Sequence, residues 1–149
     1  MRKTLTTAAT LALAVSGVLI PATSAQASTA CDSFWSGAVP GYVHAFHNAD
    51  CGHYFGRADS HDADWGDNAG AFRGGDDDAA TSVLSKASAG LAAKLHERPG
   101  YGGGHLCLEP SEAYVHDLAG KTFSNGTDAN DNISSHRWVP SSACGTFLD

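Results

Sequence analysis

Two hexapeptides constrain this chain more than anything else in it. Asp77-Asp78-Ala79-Ala80-Thr81-Ser82 and Asn130-Asp131-Asn132-Ile133-Ser134-Ser135 share one pattern: two Asn or Asp residues, two variable positions, a hydroxyl residue and a serine. Each leads into a short apolar run, Val83-Leu84 after the first and Trp138-Val139 after the second. One such hexapeptide is an ordinary Asx or ST turn. Two of them, at a roughly fifty-residue spacing, mark an internal repeat, which must be settled before local assignments are trusted. His47 and His96, and Trp65 and Tyr114, recur at nearly the same interval. Two units of short strands cannot each bury a face alone; packed together they make a small sandwich.

The local patterns fill in that frame. Tyr42-Val43-His44-Ala45-Phe46 alternates as a strand does, and His53 to Arg57 resumes one after the turn residues Asn48 to Gly52, with Gly56 as a bulge or positive-φ position. On such strands His44 and His116 point to solvent. Residues 59–71 form a polar loop whose Trp65 folds back over a core, and Ala71-Phe72-Arg73 is a short strand. In the second unit, strands are expected over Leu91–Leu95, His105–Glu109, Ala113–Leu118 and Arg137–Val139. Over residues 84–95 a helix competes, because Ala, Leu and Lys are good helix formers.

The first residues are a different kind of segment. Met1-Arg2-Lys3 is positively charged, Leu11 to Ile20 is apolar and Ala25-Gln26-Ala27 is a small-x-small cleavage site. This is the pattern of a secretory signal peptide, residues 1–27, and it predicts a secreted, extracellular protein. Residues 28–41 read as an irregular lead-in. The domain proper runs over 42–149, with motif 1 at 42–90 and motif 2 at 91–140. No later stretch is apolar for long enough to span a bilayer, so no membrane partner is expected.

Export makes disulfides the natural use of four cysteines. Three pairings are open. The expected one joins Cys31 to Cys144, tying the ends of the mature chain, and Cys51 to Cys107, tying its halves. Setting Arg2 and Lys3 aside from the 9 basic residues, against 16 acidic ones, leaves a formal charge of −9. That excludes nucleic acid as a partner, because no basic stripe remains to neutralise phosphates. It suits a cation. No catalytic signature is present: there is no HExxH, no Gly-x-Ser-x-Gly and no P-loop lysine. The eight histidines read as surface residues. The chain is expected to be no enzyme and to be a monomer.

The chain resembles the βγ-crystallin family. Lys94 to Gly104 looks like that family's first hairpin, with Glu97 in its acidic position, and the two hexapeptides look like its calcium-binding loops. The first unit matches more loosely, with Asn48 where Glu97 sits. The resemblance covers residues 42–140 and implies an all-β, disulfide-stapled sandwich of two Greek-key motifs. It implies Ca2+ held by Asp78, Thr81, Asp131, Asn132 and Ser134, with hairpin carbonyls from Glu97 and Asn48. Asp77, Ser82, Asn130 and Ser135 complete the sites by ordering the loops. The chemistry agrees, since calcium takes six to eight oxygen ligands in flexible geometry. Ala79 supplies no side-chain oxygen where Asn132 does, so the site relying on Ala79 is expected to be the weaker. The rival for both loops is a metal-free turn.

Two further functions follow from similar secreted proteins. Greek-key metalloproteinase inhibitors of actinobacteria match this chain in size, export and cysteine use. They imply an extracellular protease as partner, met by the hairpin around Asn48–Gly52 or the loop before the second hexapeptide. A killer-toxin-like or cell-surface-binding role is the other.

Overall fold

The computed structural model describes residues 28–108 and 113–148. The predicted signal peptide, residues 1–27, lies outside the described residues, as does Glu109 of the predicted strand. Strands β1 (Tyr42–Asn48), β2 (Gly52–Ala58) and β3 (Ser82–Lys86) come from the first unit. Strands β4 (Leu91–Arg98), β5 (Gly102–Leu108), β6 (Tyr114–Val115) and β7 (Ser135–Pro140) come from the second. They form two antiparallel sheets, ordered β2-β1-β3-β6 and β5-β4-β7. The segment 84–95 is strand, turn and strand rather than helix. The β1–β3 and β4–β7 ladders outweigh the helix propensity of Ala and Lys, as tertiary context commonly does.

The repeat is visible in the backbone. Asn48 faces Gly52 across the first hairpin, and Arg98 faces Gly102 across the second. Asp50 and Cys51 have φ of 57° and 53°, and Gly100 and Tyr101 have 68° and 62°. Phe46 stands opposite Ser82 as His96 stands opposite Ser135. The residue equivalent to Asn48 is therefore Arg98, one place on from the expected Glu97. Each half also lends backbone to the other. β6 of the second unit completes the first sheet, and Asp62 of the first unit bridges His136 of β7 through two backbone hydrogen bonds of 2.9 and 2.8 Å.

Between the sheets lies a core that includes Val43, Ala45, Val83, Leu95, Leu106 and Ile133. Trp65 does fold back into it and is fully buried. Phe72 is buried too, but Ala71-Phe72-Arg73 is not a strand: Phe72 enters as a loop residue, its N–H and that of Ala71 both donating to the Asp62 carboxylate at 3.0 Å. Gly56 does not have positive φ. The register slips beside it, and a Cβ on Gly56 would sit 3.0 Å from the Phe72 ring. Its glycine is set by close approach rather than by dihedral.

Three further expectations differ from the structure. The lead-in is not irregular: Thr29–Gly37 is a helix, α1. Ser28 caps it, its Oγ accepting the Cys31 N–H at 3.3 Å, and Asp32 lies in the first turn. The disulfides pair Cys31 with Cys51 and Cys107 with Cys144, not Cys31 with Cys144 and Cys51 with Cys107. The reason is placement: α1 packs on the first sheet, and the segment after β7 returns beside β5, where Cys107 exchanges backbone hydrogen bonds with Thr146 and Leu148, so each bridge stays within one half. The histidines are not all surface residues. His44, His96 and His136 are buried. His44 lies on the outer face as alternation predicts, but α1 covers that face: the Phe34 ring meets His44 edge-on at 5.2 Å.

Candidate metal centre

Each hexapeptide turns sharply at its second residue. Asp78 and Asp131 have φ of 52° and 53°, the left-handed region that Asp tolerates better than most residues. The turn aims each loop at the other. Asp78 N–H donates to the Ile133 carbonyl at 3.2 Å, and Asp131 N–H donates to the Ala80 carbonyl at 3.0 Å. The side chains repeat the exchange. Thr81 Oγ1 donates to Asp131 Oδ1 at 3.1 Å, and Ser134 Oγ donates to Asp78 Oδ1 at 3.0 Å. Two loops more than fifty residues apart in sequence thus share two carboxylate–hydroxyl pairs.

The last serine of each loop has a different task. Ser82 Oγ donates to the Asn48 carbonyl at 2.7 Å and accepts the Cys51 N–H at 3.1 Å. Ser135 Oγ donates to the Arg98 carbonyl at 2.6 Å and accepts the Tyr101 N–H at 3.2 Å. Both serines are buried and latch a loop to a hairpin. Asn48 is thus brought to the first loop through its carbonyl. The Glu97 side chain faces elsewhere, accepting Gly104 N–H at 2.8 Å and Asn125 Nδ2 at 2.6 Å. Those two bonds, the Gly104 one foremost, hold the Glu97 carboxyl below its ordinary range.

The first residue of each loop carries an orphan. Asp77 Oδ1 and Asn130 Oδ1 are buried and have no hydrogen-bond partner. Asn130 spends its Nδ2 on Asp131 Oδ2 at 2.8 Å, and Asn132 Nδ2 donates to the Asn130 carbonyl at 2.9 Å. Burial raises the Asp77 carboxyl, the nearby Ser134 hydroxyl, whose proton goes to Asp78, opposes this only weakly, and the neighbouring Asp78 and Asp64 carboxylates raise it further. Asp64, absent from both hexapeptides, also stands beside Asp77. A Cβ on Gly66 would lie 3.2 Å from both an Asp64 and an Asp77 oxygen. Only the run of aspartates through residues 59–67 hinted at it.

The arrangement can offer a cation oxygens from carboxylate, hydroxyl, amide and carbonyl groups. Among the described residues no three His, Cys, Asp or Glu side chains gather as a metal cluster. Such a donor set suits a hard cation over zinc or copper.

No family model matches this chain, and no curated protein matches it. The solved structure described as "Evolution of the eye lens beta-gamma-crystallin domain fold" is similar to it with a TM-score of 0.53 and 18% identity, covering 69% of this chain and 89% of its own. An archaeal βγ-crystallin crystal structure is similar with a TM-score of 0.47 and 23% identity, covering 68% of this chain and 100% of its own. The chain has the βγ-crystallin fold: two antiparallel sheets from two similar halves.

Proposed function

We propose that this is a secreted, non-enzymatic protein whose two hexapeptide loops bind calcium, chiefly for the stability of the fold. The observation that carries the reading is the crosswise pairing of Thr81 with Asp131 and of Ser134 with Asp78. Each pair sets a carboxylate oxygen beside a hydroxyl whose proton is already committed, so the hydroxyl's lone pairs remain for a cation. The orphaned Asp77 Oδ1 and Asn130 Oδ1 supply acceptors at the same loops. One carboxylate and one hydroxyl come from opposite halves of the chain, so an ion held there cross-links the two units. Calcium binding to the native state alone then adds stability by linkage, about 2.7 kcal/mol per site at a hundredfold excess over Kd.

The test is thermal unfolding of the chain from Ser28 onward, in EDTA and in millimolar calcium, with a calorimetric titration alongside. Calcium is expected to raise Tm and EDTA to reverse the rise. An unchanged Tm with a flat titration would sink the reading.

A further inference from the structure

On the outer face of the first sheet, away from the hexapeptides, α1 does not close completely over the strands. A cleft of about 590 Å3 remains, walled by Phe34, Gly37 and Ala38 on one side and by His44, Tyr54 and Arg57 on the other. That volume lies in the range of small-molecule sites. The cleft is mostly apolar, and its titratable groups are His44, Tyr54 and Arg57. His44 is only 2% exposed, yet neither ring nitrogen has a hydrogen-bond partner. A buried polar group normally has one, so two orphaned nitrogens at a cleft wall need an explanation. Arg57 stands directly opposite His44 in the β1–β2 register. Its guanidinium lies 4.5 Å over the Tyr42 ring, and no ion pair joins it to a carboxylate among the described residues. Tyr54, one of the exposed large apolar residues, lines the cleft from β2.

We propose that this cleft is a binding site for a small aromatic carboxylic acid. The ring of such a ligand packs against Phe34 and Tyr54. Its carboxylate faces Arg57 and accepts the N–H of His44, whose side chain is the cross-strand neighbour of Arg57. Burial first, then the charges of Arg57 and Lys86, keep the His44 imidazole neutral by lowering its pKa to about 4. The ring therefore retains one donor and one acceptor at neutral pH. Nothing in the cleft overlaps the hexapeptide loops, so this site stands or falls apart from calcium binding.

Phenylacetate serves as the probe, titrated calorimetrically and by amide chemical shifts at neutral pH and low salt. The uncharged analogue 2-phenylethanol is the control for the carboxylate. Phenylacetate is expected to bind in roughly the millimolar range or tighter, as a ligand of its size allows, and to shift the amides of α1, β1 and β2. Arg57→Gln is expected to weaken phenylacetate at least tenfold while leaving 2-phenylethanol unchanged. Gly37→Leu adds bulk at the cleft's helix wall, where a Cβ meets nothing within 4 Å, and is expected to abolish binding of both with a Tm no lower than the native chain's. The proposal is overturned if phenylacetate fails to bind at tens of millimolar, if 2-phenylethanol binds the native protein as tightly, or if either variant binds phenylacetate as the native chain does.

Discussion

His136 offers the sharpest test of the core. It is fully buried. Trp65 Nε1–H donates to its Nδ1 at 2.9 Å, and its Nε2 lies 3.0 Å from the Ser60 carbonyl. The indole is only a donor and the carbonyl only an acceptor, so one tautomer satisfies both: neutral imidazole with its proton on Nε2. A second proton would have to enter on Nδ1, against the Trp65 N–H, in a pocket walled by the Trp65 and Phe72 rings at 5.6 and 5.5 Å. Burial lowers the pKa from 6.5 to about 4; Asp62 and the Ser60 carbonyl push it up, and His61 pushes it down. The folded-state value is thus depressed for a base. Above pH 6.5 both states are neutral and nothing is lost. As pH falls from there the unfolded chain takes up a proton that the native state refuses, and stability falls until the folded value is passed. The whole loss is on the order of 3 kcal/mol. Roughly 2 kcal/mol of it falls between neutral pH and pH 5, before most carboxylates titrate. Urea unfolding across that range measures it. His44 and His96, also lowered to about 4, add to the native slope. His136→Gln keeps an acceptor for Trp65 but cannot titrate. The variant is expected to start less stable at pH 7 and to lose about 2 kcal/mol less than the native chain on going to pH 5. Parallel pH profiles for the two proteins, or an NMR titration of His136 near 6.5, would show that burial does not hold this imidazole neutral.

Two other outcomes follow from the structure. Asp131→Ala removes the carboxylate that faces Thr81, whereas Asp76→Ala removes one bonded to the Arg73 N–H outside both hexapeptides; calorimetry is expected to show at least a tenfold loss of calcium affinity for the first and little change for the second, and equal effects would remove the ligand assignment. Non-reducing peptide mapping is expected to recover Cys31–Cys51 and Cys107–Cys144, and replacing Cys31 and Cys51 together by Ala opens a bridge spanning 20 residues. By loop entropy that costs on the order of 3 kcal/mol, read from chemical denaturation.

Much of this protein is set by sequence because the relevant interactions are local. Val43 and Ala45 alternate with His44 at the period of a strand, and the Asx and hydroxyl residues of 77–82 and 130–135 favour turns. The repeat, read from spacing alone, predicted two matching halves, and the hairpin turns at Asp50-Cys51 and Gly100-Tyr101 carry matching left-handed dihedrals. What spacing could not convey is how the halves exchange backbone. β6 joins the first sheet beside β3 and Asp62 joins the second beside β7, pairings that exist only once the sheets are assembled. The same holds for Ser82 and Ser135, whose latches to Asn48 and Arg98 are tertiary contacts. The disulfide pairing also depended on placement: which cysteines meet is decided by where α1 and the C-terminal segment lie, and chain order is silent on that. His44 makes the physical reason plain. A period of two fixed its face, but whether that face meets water or a helix is a property of the whole molecule, and α1 decided it.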